Sequence, residues 1–179
     1  MAVAAPIYSQ QQVTAMLKTP KVVEHDAWEN RFDGRKSTEE ARVRIPVSPE
    51  DDADLTVFAI ESCKCIVRGE VSFTLFGKML EYPEHALCRY EMQLCRHNNP
   101  KWFPPSFISS RALHKHVYNE RAIRDDMPWD KCAELLNLKK RPRRKLSLQQ
   151  AIDLITPIFI NEIRLEIHDP NVRQLLFSR

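Results

Sequence analysis

Several segments of the chain alternate apolar and polar residues with a period of two, which is typical of half-buried β-strands. In residues 42–47, Val43, Ile45 and Val47 alternate with two arginines and a proline. The other segments are residues 55–66, with a break near Ser62 as an alternative, residues 71–75 and residues 86–95. Because the strands follow one another with short polar connections, they predict an antiparallel meander over about residues 42–118.

Helix signals flank this region on both sides. Ser-x-x-Gln, the spacing of a capping box, occurs at residues 9–12 and 147–150, in each case before apolar residues at helical spacing. Asp169 followed by Pro170 is a typical start for a last helix. We therefore expect a short N-terminal helix that ends before Pro20 and two C-terminal helices.

The C-terminal half contains one further predicted helix and two features whose outcome is left open. A helix is predicted over residues 129–138, with Asp126 as its N-cap. Pro157 is expected to kink the helix that starts at Ser147 or to restart it. Residues 162–168 also alternate like a strand, so their state is left open.

These elements predict an α+β fold. An antiparallel β-meander, about residues 42–118, would pack against the C-terminal helices, with a short N-terminal helix. We expect residues 1–40 to form an N-terminal helix and a charged extension. Residues 41–179 would then form a single α+β domain with a basic linker at residues 139–145.

Composition excludes several classes of enzyme. The 179 residues include only three glycines, and none lies in a dinucleotide-binding, P-loop or nucleophile-elbow motif. The five cysteines are too few for a disulfide scaffold and are expected to be reduced thiols. No apolar run is long enough for a membrane span, so we expect a cytoplasmic protein that does not bind membranes.

The positive charge of the chain is local. Residues 139–145 contain six of the 27 basic residues, and without them acidic residues outnumber basic ones by three. Such a run favours contact with nucleic acid or an acidic partner, with a solvated linker as the alternative. The cations are Lys139, Lys140, Arg141, Arg143, Arg144 and Lys145.

A polar constellation lies between residues 89 and 121. If residues 108–118 form a strand, His114, His116 and Tyr118 lie on one face. Two adjacent imidazoles can share acid and base roles in phosphodiester cleavage. Glu91 would orient an imidazole, and Arg89 and Arg121 would bind phosphate.

Other roles for the same residues remain open. The histidines could be structural, or they could hold a divalent metal with Glu91 or His97. We expect no resident metal and no cofactor, because no third ligand stands at a diagnostic spacing. Trp102 and Phe103 are expected to anchor a loop, with stacking on nucleic-acid bases as the alternative.

The order Arg-x-acidic, His-x-Asn-Pro and His-x-His-x-Tyr resembles small prokaryotic proteins of toxin–antitoxin and mobile-element neighbourhoods, among them the TumE-type toxins. The resemblance spans about residues 42–130. Its motif positions are Arg89, Glu91, His97, Asn99, His114, His116 and Tyr118. It implies an antiparallel α+β fold and a prokaryotic or phage context.

Two functional hypotheses follow from the residues and the resemblance. In the first, a phage- or mobile-element-associated, toxin-like protein acts on RNA through the His-x-His site, as a metal-independent ribonuclease. In the second, the protein is a non-catalytic binder, either an antitoxin-like partner or a phage inhibitor of a host nucleoprotein defence complex. The expected partners are RNA or a nucleoprotein complex, a cognate protein, or a second copy in a homodimer.

Overall fold

The computed structural model describes residues 7–23, 32–37, 40–50, 56–138 and 145–178. Its helices are α1 (Gln10–Lys18), α2 (Glu120–Arg124), α3 (Leu148–Glu162) and α4 (Pro170–Phe177), with a 3₁₀ turn at Trp129–Lys131. Its strands are β1 (Lys21–Val23), β2 (Phe32–Ser37), β3 (Glu40–Pro49), β4 (Val57–Cys65), β5 (Glu70–Lys78), β6 (His85–Met92), β7 (His97–Asn98), β8 (Phe107–Ile108), β9 (His114–Val117), β10 (Ala133–Leu135) and β11 (Leu165–Ile167). The α+β class predicted from the sequence is confirmed.

Among the described residues, nine strands form one mostly antiparallel sheet. Its order is β10, β9, β6, β5, β4, β3, β1 and β11, and β2 also pairs with β3. The predicted meander is its centre, where β3 to β6 are joined as successive hairpins. Strand β4 continues through Ser62, which lies between Val43 and Phe73, so the alternative break there does not occur.

One face of the sheet packs against α3 and α4. The ring centroid of the fully buried Phe159 in α3 lies 5.8 Å from that of Phe73 and 5.3 Å from that of Tyr90. Phe177 in α4 completes this aromatic cluster. Because side chains alternate along a strand, the intervening polar residues of β3 to β6 lie on the opposite face, where the candidate site lies.

The prediction of a helix over residues 129–138 is wrong. This segment forms the short 3₁₀ turn and then β10, which pairs with β9 through Ala133 and His116. Asp126, the expected N-cap, has a positive φ of 57° and caps no helix. The backbone N–H and C=O groups of this segment pair with the open edge of β9. This tertiary pairing outweighs the helical spacing of the apolar residues.

Pro157 does not restart a helix. Helix α3 runs from Leu148 to Glu162, and the Thr156 hydroxyl donates to the Ile152 carbonyl within it instead of forming a new N-cap. Pro157 removes the donor for the Asp153 carbonyl, and both residues lie on the exposed face of α3. Water can therefore satisfy that carbonyl. Residues 162–168 divide between the end of α3 and β11.

The segment expected to be an extension contributes to the sheet and to the core. Strand β1 pairs with β3 and, in parallel, with β11, and β2 pairs with β3. The side chains of Tyr8, Val13 and Met16 are buried in the main core. Ser9 forms the predicted capping box with Gln12, and α1 ends at Lys18.

Lys21 joins this segment to the end of α3. Its side chain is 1% exposed, and its Nζ donates to the carbonyls of Leu17, Thr19 and Ile163 at 3.4, 2.6 and 3.0 Å. These carbonyls lie at or near the C-terminal ends of α1 and α3, where a cation is favourable. Burial nevertheless lowers the pKa of Lys21 to about 8.

This lowered pKa predicts a pH-dependent stability. Between pH 8 and the ordinary lysine pKa of 10.5, the unfolded chain binds more protons at Lys21 than the folded chain does, so this contribution to stability rises with pH. Burial raises the pKa values of Cys88 and Cys132, which act in the opposite direction above pH 9. Urea denaturation between pH 7.5 and 9 should therefore show stability rising more steeply in the wild type than in Lys21→Met. Equal slopes would contradict the prediction.

No helix in the described part of the chain is both long and apolar enough to cross a membrane.

Candidate functional site

The candidate site forms where β6 and β9 pair on the polar face of the sheet. Arg89 lies opposite His116, and Glu91 lies opposite His114. The period of two along both strands places these four side chains on one face. Strand β9 is shorter than the predicted strand over residues 108–118, because the chain between β8 and β9 forms a turn with a positive φ at Arg111.

Glu91, His114 and His116 form a buried group that we call the histidine–carboxylate cluster. The Nε2 atom of His116 lies 2.6 Å from Glu91 Oε1, and the Nε2 atom of His114 lies 3.1 Å from the same oxygen. The exposed fraction of each of the three residues is 2% or less. The structure therefore brings the three predicted catalytic residues together but closes them off from solvent.

The second nitrogen of each imidazole faces a backbone carbonyl. His116 Nδ1 lies 2.6 Å from the Asp130 oxygen, and His114 Nδ1 lies 2.8 Å from the Ala112 oxygen. A carbonyl can only accept, so each Nδ1 carries a hydrogen. Both Nε2 atoms then face a carboxylate that also only accepts, and His114 Nε2 has no hydrogen-bond partner. The cluster therefore requires a positive charge at the Nε2 atoms.

The other carboxylate oxygen is held separately. Glu91 Oε2 accepts a hydrogen bond from Gln93 Nε2 at 2.9 Å and lies 2.9 Å from Arg89 Nε. The Arg89 guanidinium also donates to Asp130 Oδ2 and lies over the Trp129 ring. Burial opposes ionisation of Glu91, but the contacts to His114, His116 and Arg89 outweigh it and hold its pKa well below the usual range.

His97 and Asn99 cover the cluster from the hairpin of β7 and β8. The ring centroid of His97 lies 4.7 Å from that of His116 and 5.9 Å from that of His114. Its Nε2 faces the Asn99 side-chain oxygen and the Lys131 carbonyl, so it carries a hydrogen. Burial lowers the pKa of the His97 imidazole, and the neighbouring histidines lower it further.

The Asn99 amide fixes this hairpin to the edge of the sheet. Its Nδ2 donates to the carbonyls of Pro105 and Ala133 at 2.6 and 2.8 Å, and its Oδ1 accepts from the Ala133 amide at 2.9 Å. Asn99 thus pairs with both backbone groups of one residue of β10. The sequence did not predict this contact, because a helix was expected over the residues that form β10.

Other predicted site residues lie elsewhere. Tyr118 is buried beyond the end of β9, where its hydroxyl donates to the Tyr8 carbonyl and its ring contacts His85. Arg121 lies on α2, with an exposed side chain over the Trp102 ring instead of beside Arg89. Lys145 is exposed. The remaining predicted cations, Lys139, Lys140, Arg141, Arg143 and Arg144, lie outside the described residues.

Two arginines stack on aromatic rings of the covering hairpin. The Arg121 guanidinium lies 4.4 Å from the Trp102 ring centroid, and the Arg96 guanidinium lies 4.0 Å from that of Phe107. Phe107 is 46% exposed, and Lys101 beside Trp102 is also exposed. We call these residues the arginine–aromatic surface. The sequence offered a signal for it, since residues 94–124 contain six basic residues and one acidic residue.

The two groups differ in what they can do chemically. The imidazoles of the cluster have no exposed lone pair, so in this conformation they cannot exchange a proton with a bound polymer. The arginine–aromatic surface presents guanidinium groups and the Phe107 ring to solvent, and the Trp102 ring is half-buried. Comparison of the chain with family models, curated proteins and solved structures finds no match.

Proposed function

We propose that this chain is a cytoplasmic RNA-binding protein that holds single-stranded RNA on the arginine–aromatic surface. The observation that supports the proposal is a pair of guanidinium–ring stacks with exposed guanidinium groups, Arg121 on the half-buried Trp102 and Arg96 on the exposed Phe107. Proteins bind single strands by pairing cations with phosphates and by stacking bases on aromatic rings or on guanidinium planes.

The charge of the hairpin and its surroundings supports the same partner. The single acidic residue among the six cations of residues 94–124 is Glu120, which accepts a hydrogen bond from Arg124. Arg121 lies 3.8 Å from Asp125, which is a long contact between two exposed groups and is therefore weak. Arg96, Lys101 and Arg121 remain accessible to phosphate.

This proposal keeps RNA as the target and assigns binding to a surface other than the His-x-His pair. Cleavage of RNA by His114 and His116 stays a prediction. It would require the hairpin of β7 and β8 to move away from β9, because the two histidines are buried. The phage or mobile-element context, a nucleoprotein target and a cognate protein partner also stay predictions. The runner-up hypothesis of a non-catalytic binder fits the buried cluster better than the ribonuclease hypothesis does.

We expect Trp102→Ala to weaken binding of a labelled single-stranded RNA roughly 5- to 150-fold, because one stacked base contributes about 1–3 kcal/mol. Arg121→Gln should lower the slope of log affinity against log salt by about one unit. Fluorescence anisotropy over a salt series measures both effects. Arg173→Gln, an exposed change on α4, is the matched control.

Two comparisons decide between the hypotheses. Equal affinity of the wild type and both surface variants would overturn the proposed surface, and a preference for duplex RNA would exclude the stacking mode. Gel analysis of the same RNA tests for cleavage. Shortened RNA that disappears in the His114→Ala, His116→Ala double variant would support the ribonuclease hypothesis, whereas intact RNA in the bound fraction supports a binder.

A further inference from the structure

The geometry points to a divalent metal site formed by Glu91, His114 and His116, which would take a borderline first-row ion such as Zn²⁺. One nitrogen of each imidazole and one carboxylate oxygen all lie within 4.8 Å of one another. This inference is independent of RNA binding, and it departs from the absence of a metal that the sequence led us to expect.

The hydrogen bonds of the two imidazoles leave the correct atoms for a metal. Each Nδ1 donates to a backbone carbonyl, so the neutral form of each imidazole has its lone pair on Nε2, and both Nε2 atoms lie near Glu91 Oε1. Histidine ligands of metals usually donate their second ring N–H to a carbonyl or carboxylate, which fixes the tautomer and the ring orientation. Ala112 and Asp130 supply these acceptors.

The carboxylate is oriented in the same way. Gln93 and Arg89 occupy Oε2, which leaves Oε1 as the oxygen directed at the imidazoles. Asp130 contributes twice, since its carbonyl holds His116 and its side chain holds Arg89. Each of the three candidate ligands is therefore oriented by a contact that does not use its ligand atom.

Protons are the competing source of positive charge. A single proton on His116 satisfies that imidazole but leaves His114 Nε2 buried without a partner. Protons on both histidines would place two imidazolium rings with centroids 5.1 Å apart, beside the Arg89 guanidinium, in a site closed to water. One metal ion uses both lone pairs at once.

The spacing needs only small adjustment. Two ligand atoms about 2.1 Å from one Zn²⁺ in tetrahedral geometry lie roughly 3.4 Å apart. The 3.1 Å between His114 Nε2 and Glu91 Oε1 is close to this value, and the 2.6 Å between His116 Nε2 and Oε1 must lengthen by less than 1 Å.

The test uses the full chain, purified without a polyhistidine tag, stripped with EDTA and dialysed. Addition of ZnCl₂ should load about one zinc ion per chain, as measured by elemental mass spectrometry. The bound zinc should also raise the Tm by several degrees. MgCl₂ should give no shift, because Mg²⁺ prefers oxygen ligands. His168 is exposed and directly follows β11, at the opposite edge of the sheet from β10. The control His168→Ala should therefore load zinc as the wild type does.

His114→Ala should lose zinc loading and the Tm shift. Should that variant fail to fold, X-ray absorption at the zinc edge of the loaded wild type gives the answer: nitrogen and oxygen ligands without sulfur support the site, and sulfur ligands assign the ion to cysteines and overturn it. Substoichiometric loading with an unchanged Tm would also overturn the proposal, as would full loading of a folded His114→Ala variant.

Discussion

Replacing Glu91 with glutamine is expected to lower the free energy of unfolding by about 3–5 kcal/mol, the range for removal of one partner from a buried ion pair. Glutamine has nearly the same shape, so the change removes charge and leaves packing almost intact. A positive charge held at His114 and His116 would then be buried without its anion, and Arg89 would keep only its ion pair with Asp130. Urea denaturation at neutral pH measures the loss.

A matched control separates this effect from a general loss of negative charge. Glu166 on β11 is exposed, and Glu166→Gln should change stability by less than about 0.5 kcal/mol. A similar small change in Glu91→Gln would mean that the cluster holds no charge that depends on the carboxylate. The m-value should be unchanged in both variants, since neither alters the surface exposed on unfolding.

Replacing Asn99 with alanine should destabilise the protein by about 3 kcal/mol, because it leaves two buried backbone groups without partners at about 1–3 kcal/mol each. The groups are the amide and the carbonyl of Ala133, which lies in the core beside His116. The hairpin of β7 and β8 would also lose its connection to β10. Hydrogen exchange at the Ala133 amide should therefore accelerate along with the loss of global stability.

Asn98 provides the control for this change. It is the neighbouring residue of the same strand, and its side chain is exposed. Asn98→Ala keeps the backbone pairing of β7 with β8 and should behave like the wild type in both measurements. Protection of the Ala133 amide that persists in Asn99→Ala would show that another group holds the edge of β10.

The parts of the fold that the sequence predicted are those that depend on local pattern. Alternation predicted β3 to β6, and capping residues predicted the starts of α1, α3 and α4. The helix over residues 129–138 failed because β9 offers an open edge to this segment, and that edge is a tertiary feature. Local spacing contains no information about it.

The candidate site also has parts that local pattern predicted and parts that it did not. The period of two correctly predicted that His114 and His116 share one face, and Arg89 and Glu91 lie on the same face as their cross-strand neighbours. Their burial depends on the hairpin of β7 and β8 and on the 3₁₀ turn, which supplies Asp130. These contacts join residues separated by more than ten positions in the chain, so spacing could not predict that the pair is covered or that Arg121 lies apart from it.

The parallel pairing of β1 with β11 has a consequence for synthesis of the protein on the ribosome. Residues 21–23 leave the exit tunnel long before residues 165–167, with which they pair. The hairpins of β3 to β6 need only nearby residues and can form in the nascent chain. The outer edge of β1 stays open until residues 165–167 have emerged, and the Lys21 ammonium group cannot donate to the Ile163 carbonyl before then. Closure of this edge is therefore a later step than formation of the central hairpins.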